Sequence, residues 1–272
     1  MSDARPADND SPIFPEIDPN VASSARIYNY WLGGKDYYPV DSEMGEQIRQ
    51  VLPGIVEMAR DQRAFLARVV TYLAGEAGIR QFLDIGTGLP TANNTHQVAQ
   101  RIAPESRIVY VDNDPVVLVH ARALLTSSPE GATDYIDADL RDPDMILREA
   151  ARTLDFTQPV AITLLGVVHH IADTDAAQEI VQRLLDAVPS GSYLVISHTT
   201  STVTGAAMEE AVRLWNQAGS VPIVIRSPKE LAGFFEGLEL VEPGVVSTTL
   251  WRPEPGTDRD KVDEYCAVGR KP

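Results

Sequence analysis

The stretch Phe82-Leu83-Asp84-Ile85-Gly86-Thr87-Gly88-Leu89-Pro90 decides the fold of this chain. Its apolar first half predicts a buried strand over residues 81–85, and we expect the following helix to begin near Ala92. Gly86 and Gly88 permit a sharp turn between the two and let the backbone approach a ligand closely. Because many strand-to-helix turns contain such a pair, the neighbouring residues must specify the ligand.

Around this stretch, short β-branched segments alternate with amphipathic patterns, which is typical of a parallel sheet with crossover helices. Two further β-like runs with no helix between them, 238–251 and 264–269, predict an antiparallel hairpin at one sheet edge. We therefore predict a doubly wound, mostly parallel α/β fold. The other strands are expected at 107–112, 133–137, 159–165 and 192–197, and helix starts at Asp114-Pro115, Asp142-Pro143 and Ser227-Pro228.

The chain divides into three predicted segments. Residues 1–19 are rich in proline and poor in apolar residues, which predicts a mobile N-terminal arm. Residues 20–77 predict a helical cap or lid, and residues 78–272 one α/β domain that holds the ligand. The buried stripe of the cap recurs at intervals of three, four and seven residues, at Ile55, Ala59, Leu66, Val69, Val70 and Leu73.

The charge and the cysteine content limit the partners and the location. A formal net charge of −16 disfavours phosphate backbones and anionic lipid, so we expect neither nucleic acid nor membrane as a partner. No run approaches the roughly 20 apolar residues that cross a bilayer, and the acidic, proline-rich start does not resemble a signal peptide. The single cysteine, Cys266, predicts a reducing, cytoplasmic location, while monomer and homodimer both remain open.

Acidic residues stand at the predicted ends of three successive parallel strands. Asp84 would repel a pyrophosphate but attract the cationic α-amino end of S-adenosylmethionine, directly or through water. Asp112 can accept hydrogen bonds from both hydroxyls of a ribose, which S-adenosylmethionine and NAD share. Asp137 or Asp139 could accept a hydrogen bond from an adenine amino group, and Asp114 is also a candidate helix cap.

The glycine turn gives a further reason to choose between these cofactors. In a dinucleotide site, the position of Thr91 should hold Gly or Ala so that helix and strand pack closely around a pyrophosphate. Thr91 and Asp84 therefore count against NAD and favour S-adenosylmethionine.

These residues resemble those of the class I, Rossmann-like S-adenosylmethionine-dependent methyltransferases over roughly residues 76 to 200. The resemblance depends on Asp84-Ile85-Gly86-Thr87-Gly88, Asp112, Ala138-Asp139 and the segment 162–171. More narrowly, the chain is similar to a bacterial family of predicted methyltransferases with no assigned substrate. That closer similarity lies in the segments 26–36, 61–66, 88–91 and 94–96.

The resemblance implies a seven-stranded sheet whose last strand is antiparallel, with S-adenosyl-L-methionine as the cofactor. It assigns the methionine end to Asp84, Gly86 and Gly88, and the ribose to Asp112. It assigns the adenine to Asn113, Asp139 and Leu140. We add Gly166, directly after the fourth strand, to the expected cofactor contacts.

The residues after the fourth strand narrow the acceptor. Many methylases of exocyclic amines or of glutamine carry an Asn/Asp-Pro-Pro-Tyr motif there, whereas this chain has Leu165-Gly166-Val167-Val168. The following His169-His170 pair is similar to that of small-molecule methyltransferases, and either ring could act as a general base at neutral pH or simply pack. Adjacent side chains usually point in different directions, so we expect at most one of them to face the ligand.

An aromatic cluster over residues 28–38 predicts a lid over the cofactor and one wall of an acceptor pocket, or simple packing of the cap on the sheet. Arg63 could bind an acceptor carboxylate or pair with a surface acid. Tyr30, His169 and His170 are the catalytic candidates. The acceptor and lid candidates are Tyr28, Asn29, Tyr37, Arg63 and His198.

The five histidines show no helical His-x-x-x-His pair, so we predict no metal site. We expect methyl transfer from S-adenosylmethionine to oxygen or nitrogen of a small molecule. The alternatives are an NAD-dependent oxidoreductase and a non-enzymatic protein that binds S-adenosylmethionine.

Overall fold

The computed structural model describes residues 17–124, 126–218 and 221–272, apart from the side chains of residues 122–124. Within these residues, eight strands form one sheet with the order β3-β2-β1-β4-β5-β8-β6, and β7 pairs with β8. The predicted arm lies almost entirely outside the described residues. The strands are β1 (Gln81–Ile85), β2 (Arg107–Asp112), β3 (Ala132–Asp137), β4 (Ala161–Leu165), β5 (Tyr193–Thr199), β6 (Glu239–Leu240), β7 (Val246–Ser247) and β8 (Glu264–Arg270).

The sheet has the predicted fold class. Strands β1 to β5 are parallel, and β8 runs antiparallel to β5. The strand order reverses between β1 and β4, so the carboxyl ends of these two strands flank the crevice where open parallel sheets bind ligands. The run that was predicted as one strand over 238–251 is two short strands, because Pro243 and Gly244 interrupt it, and this raises the count from seven to eight.

The helices begin largely where the sequence predicted. Asp142 caps its helix through the backbone N–H of Met145, and Ser227 forms a capping box with Glu230. The helix after the glycine turn begins at Thr95 rather than near Ala92, because Asn93 has a φ of 58°, outside the helical region. The helices are α1 (Ser24–Trp31), α2 (Pro39–Val51), α3 (Ile55–Gly75), α4 (Thr95–Ile102), α5 (Pro115–Leu124), α6 (Pro143–Ala150), α7 (Thr174–Asp186), α8 (Ala206–Gln217) and α9 (Pro228–Gly233).

The helical layer above the carboxyl edge of the sheet is built from both ends of the sequence. Side chains of α1, α2 and the start of α3 pack with those of α8, and the rings of Trp31 and Trp215 lie 6.2 Å apart. The second half of α3 instead packs on the sheet, where Phe65 and Val69 join the core around Phe82. Helix α3 therefore connects the cap to the sheet, and α8 contributes a wall that the sequence pattern did not assign to the cap.

A buried ion pair fixes the conformation of the cap. Nε of Arg26 on α1 lies 2.7 Å from Oδ2 of Asp41 on α2, and the backbone N–H groups of Ser23 and Tyr38 donate to the same carboxylate. Because the carboxylate satisfies donors from both ends of the connection, α1 and α2 are held at a fixed angle. No helix in the described part of the chain is both long and apolar enough to span a membrane.

Candidate active site

A cavity of about 510 Å³ lies between the carboxyl edge of the sheet and the helical layer. Asp84, Asp112 and Asp139 line it from the sheet, and Tyr28 and Trp215 line it from the cap. Its volume is in the range of small-molecule and cofactor sites. The strand ends of the sheet and the aromatic cap therefore enclose one continuous site.

The turns after β1 and β4 depend on glycine for two different reasons. Gly86, Gly88 and Gly166 have φ values of 76°, 62° and 64°, in the left-handed region. A Cβ atom would lie 2.5 Å from the side chain of Val167 at Gly86 and 2.6 Å from Nε2 of Gln62 at Gly166. At Gly88 a Cβ atom would meet nothing within 4 Å. Gly86 and Gly166 therefore allow close packing of the cavity walls, whereas Gly88 presents bare backbone to open space.

Asp84 is a buried carboxylate at the centre of the sheet edge. Oδ2 accepts a hydrogen bond of 2.6 Å from Thr95, and Oδ1 accepts one of 2.7 Å from Thr163 on β4. Burial raises the pKa of this carboxyl group, and the two hydroxyl donors act in the opposite direction. The two threonines hold the carboxylate in one orientation at the cavity wall.

Asp112 joins the end of β2 to the glycine turn. Oδ2 accepts a hydrogen bond of 2.8 Å from the backbone N–H of Gly88, and Oδ1 accepts one of 3.0 Å from that of Asp114. Burial raises its pKa to about 6, so the group is mainly ionised at neutral pH. Each carboxylate oxygen retains a second lone pair, which is the capacity that a pair of ribose hydroxyls requires.

The third carboxylate in the cavity wall is Asp139 rather than Asp137. Asp137 is exposed, whereas Asp139 lines the cavity beside Leu140. Nδ2 of Asn113 donates to Oδ2 of Asp139 at 3.1 Å, and the guanidinium of Arg141 lies at the same distance from that oxygen. Asn113 and Asp139 thus form a polar edge with free donors and acceptors, as an adenine would need.

A family model described as S-adenosyl methyltransferase matches residues 11–272 of this sequence. The chain belongs to this family. S-adenosylmethionine is therefore its cofactor and methyl transfer its reaction, and the NAD-dependent alternative is not favoured. No curated protein matches the chain.

Solved structures similar to the methyltransferase agree with this assignment. A DUF574 family protein from Streptomyces avermitilis is 48% identical, with a TM-score of 0.91 over 94% of this chain and 100% of the other. A candidate methyltransferase from Thermobifida fusca is 40% identical, with a TM-score of 0.86 over 93% of this chain and 96% of the other. Human N-acetylserotonin methyltransferase, solved with S-adenosylmethionine, shares the fold at 12% identity and a TM-score of 0.51, over 84% of this chain and 56% of the other.

The two adjacent histidines of the methyltransferase both line the cavity, so the expectation that at most one would face the ligand is wrong. The reason is that residues Val168–His170 form a 3₁₀ turn rather than a strand, and the two rings pack edge to face 4.5 Å apart. Nδ1 of His170 bonds to the carbonyl of Pro222 at 3.1 Å, and Nδ1 of His169 lies 3.2 Å from Oγ1 of Thr199. Burial lowers the pKa of both rings, which are neutral at pH 7.

Three candidates from the sequence lie outside the cavity lining. The hydroxyl of Tyr30 donates to Glu46 at 2.6 Å, and the ring of Tyr30 packs edge to face on that of Tyr37 at 5.0 Å. His198 is fully buried behind the wall, with Nδ1 bonded to the carbonyl of Thr199 and Nε2 to Arg226. Tyr30 is therefore withdrawn as a catalytic candidate, and Tyr37 and His198 as acceptor contacts.

The remaining acceptor candidates do line the cavity. The hydroxyl of Tyr28 lies 2.8 Å from the carbonyl oxygen of Ala59 and also within hydrogen-bond distance of Oε1 of Gln62, and these two acceptors share its single proton. Oδ1 of Asn29 accepts from the backbone N–H of Asp36, which closes the Gly33-Gly34 turn. Nη2 of Arg63 donates to Oδ1 of Asn94 at 3.3 Å and to the carbonyl of Ala92 at 3.4 Å, beside Asp84. A third contact, to the carbonyl of Asn93, measures 3.5 Å. All three contacts are long, so the guanidinium of Arg63 is available to an anionic group in the cavity.

A polar cluster in the cavity wall was not anticipated from the sequence. Nε2 of Gln62 donates to Oε1 of Glu264 at 2.9 Å, and Oγ1 of Thr199 lies 3.4 Å from Oε2. Glu264 is 4% exposed, and burial raises its pKa to about 7. The available signal was an acid at the first position of β8, directly before six buried or half-buried residues. Among the described residues, no group of three His, Cys, Asp or Glu side chains is arranged to hold a metal ion.

Proposed function

We propose that this methyltransferase methylates an oxygen or nitrogen atom of a small, mainly apolar molecule. The observation that carries the proposal is the composition of the acceptor half of the cavity. Its apolar wall comes from α1, α8 and the segment after α8, and consists of Trp31, Leu32, Met208, Val212, Trp215 and Ile223. The polar side chains of Gln62, His169, Thr199 and Glu264 also line the cavity, and hydrogen bonds connect them into one cluster. Such a lining suits an apolar body that carries one reactive polar group.

The other half of the cavity fits the cofactor, residue by residue. Asp84, Gly86 and Gly88 would hold the methionine end, and Asp112 the ribose. Asn113, Asp139 and Leu140 would hold the adenine, with Gly166 beside the reacting centre. The bare backbone at Gly88 and the ionised Asp112 beside it support this placement. When bound, the sulfonium supplies an already activated methyl group, so the protein has to align the acceptor and exclude water.

We propose a partner other than nucleic acid or membrane, and a cytoplasmic location. A net charge of −16 supports a partner other than nucleic acid, and the single, buried Cys266 supports a reducing, cytoplasmic compartment. We further propose that residues 20–77 act as the lid, that residues 78–272 hold the cofactor, and that the protein is a monomer or a homodimer.

Trapping the product tests the proposed acceptor class. The purified protein and S-adenosylmethionine with a radiolabelled methyl group are added to an extract of Streptomyces avermitilis that lacks the 48% identical relative. The extract is first separated by ultrafiltration into small molecules and macromolecules. We expect label in an organic-extractable product of the small-molecule fraction.

The matched control is the variant Asp84→Asn, which should yield little label. Label in the macromolecular fraction alone would overturn the acceptor class. Tight binding of S-adenosylhomocysteine without transfer to either fraction would favour the non-enzymatic alternative.

A further inference from the structure

We propose that Glu264 acts through Thr199 on His169, so that Nε2 of His169 takes the proton of the acceptor during methyl transfer. His169 is then the catalytic residue, and Thr199 and Glu264 position and stabilise it. The inference rests on the proposed function, because a proton acceptor is needed only if the methylated group carries a proton.

The donor and acceptor in each hydrogen bond follow from the chemistry of the Glu264 carboxylate, the Thr199 hydroxyl and the His169 ring. An ionised carboxylate can only accept, so the hydroxyl of Thr199 donates to Oε2 of Glu264 over 3.4 Å. The same oxygen of Thr199 must then accept from Nδ1 of His169, which lies 3.2 Å away. This bond places the ring proton on Nδ1 and leaves the lone pair on Nε2. Within the described residues, Nε2 of His169 has no hydrogen-bond partner, and the ring lines the cavity.

The carboxylate of Glu264 is held in place from the cap. Nε2 of Gln62 on α3 donates to Oε1 of Glu264 at 2.9 Å and to Oγ of Ser197 at 3.0 Å. Oε1 of the same amide accepts from the hydroxyl of Tyr28 on α1. The amide of Gln62 is therefore oriented with its donors toward the sheet. Helix α1, through Tyr28 and Gln62, thus holds the carboxylate of Glu264 in place next to Thr199.

Among the charged and titratable groups around it, Glu264 is the one that changes charge near neutral pH. Burial raises the pKa of Tyr28 on α1 and of Cys266 on β8, so both stay neutral. The guanidinium of Arg63 on α3 opposes part of the effect of burial on the pKa of Tyr28. Asp263, the preceding residue, is engaged by the backbone N–H groups of Val203 and Thr204. The pKa of Glu264 itself is raised to about 7.

The neighbours of His169 explain why it needs an anion. Burial lowers the pKa of His170 on the same turn, and that of His198 on β5 to about 4, so both rings are neutral. The guanidinium of Arg226 is positive and lowers the pKa of His169, in addition to the larger effect of burial. An imidazolium at His169 would therefore be strongly disfavoured without a counter-charge. Ionised Glu264 supplies that charge at the distance of one hydroxyl group.

The proposed step balances as follows. A lone pair of the acceptor oxygen or nitrogen forms the bond to the methyl carbon, and the carbon–sulfur bond breaks with its electron pair remaining on sulfur. The proton of the acceptor passes to Nε2 of His169, which becomes an imidazolium. The bond from Nδ1–H through Thr199 to Glu264 stabilises that cation until the proton leaves with solvent. The acceptor is therefore a molecule whose reacting group still bears a proton when it binds.

Nuclear magnetic resonance tests the proposed proton relay, which runs from His169 through Thr199 to Glu264, without an acceptor. Long-range proton–nitrogen spectra of the five histidines are recorded on ¹⁵N-labelled protein saturated with S-adenosylhomocysteine, and His169→Gln assigns one set of signals. We expect His169 with its proton on Nδ1 and a shift of its signals with a midpoint at about pH 7, the pKa of Glu264. The variants Glu264→Gln and Thr199→Val should abolish or strongly reduce this shift.

The exposed variant Glu239→Gln, on β6 of the same sheet, is the matched control and should leave the titration unchanged. A proton on Nε2, or the same midpoint in a folded Glu264→Gln, would overturn the relay. Because no acceptor is present, these outcomes are independent of whether the proposed acceptor class is correct.

Kinetics with the trapped acceptor provide the second measurement. Glu264→Gln should lower kcat by roughly 10- to 100-fold with little change in KM, and should remove the fall in rate below about pH 7. Thr199→Val should lower kcat by a similar factor. The double variant should fall no further, because both changes break one relay. Multiplicative losses, or an unchanged pH profile in Glu264→Gln, would show that Glu264 has only a structural role.

Discussion

Replacement of Asp84 by Asn is expected to weaken the binding of S-adenosylhomocysteine by roughly 10- to 150-fold, the factor that corresponds to about 1.5 to 3 kcal/mol for a hydrogen bond to a charged group. The α-amino group of the ligand is cationic, and Asp84 offers it a carboxylate that Thr95 and Thr163 hold in place. Asn has the same shape and can still accept from one threonine, but it carries no charge. Isothermal titration calorimetry measures the loss directly.

The matched control for this prediction is Asp137→Asn. Asp137 is the last residue of β3, and Asp84 lies one residue before the end of β1, yet Asp137 is exposed and does not line the cavity. We expect the affinity of the Asp137→Asn variant for S-adenosylhomocysteine to stay within about twofold of that of the wild-type protein, because exposed charges at a distance are screened. An Asp84→Asn protein that folds and binds with full affinity would refute the assignment of the methionine end.

Replacement of Arg226 by Leu is expected to destabilise the protein by about 2 to 4 kcal/mol, or roughly 5 to 15 °C in Tm. Arg226 is 2% exposed and holds the histidine turn from behind. Its guanidinium donates to the carbonyls of Ile171 at 2.6 Å and Val168 at 3.3 Å, and to Nε2 of His198 at 2.9 Å. Leu fills much of the space but leaves these acceptors buried without donors. Removal of the buried charge offsets only part of that cost.

Urea unfolding at neutral pH measures this effect, and Arg183→Leu is its control. Arg183 pairs with Asp144 on the surface, where both side chains are largely exposed. Surface ion pairs contribute little, so Arg183→Leu should change the free energy of unfolding by less than about 0.5 kcal/mol. Equal stabilities of the two variants would mean that Arg226 does not support the turn.

The carboxyl edge of the sheet was predictable from the sequence because it depends on short, local patterns within each strand. Strands β1 and β2 occupy the predicted residues, since each is an apolar run that ends at an acid or a glycine. Parallel strands place their carboxyl ends at one edge, which brings Asp84 and Asp112 together without any knowledge of side-chain contacts. The start of α4 was misplaced by three residues, because the left-handed conformation of Asn93 leaves no trace in hydrophobic periodicity.

The proton relay could not be predicted in the same way. Glu264 begins an antiparallel strand, so its neighbour at the start of β8 is the end of β5, where Thr199 lies. Gln62, which orients the carboxylate, precedes it by 202 positions on a helix that the pattern assigned to the cap. Periodicity also gives no direction for a particular ring. Tyr30 bonds to Glu46 on α2, and His198 faces Arg226, although both belong to segments that form the site.

The most direct test of the account is a crystal structure of the protein with S-adenosylhomocysteine. We expect the ligand in the cavity of about 510 Å³, with its α-amino group at Asp84, its ribose hydroxyls on Asp112 and its adenine beside Asn113 and Asp139. Its sulfur should face the apolar half, on the side of the cavity that His169 lines. Density for the ligand elsewhere, or a ribose that does not contact Asp112, would contradict the account.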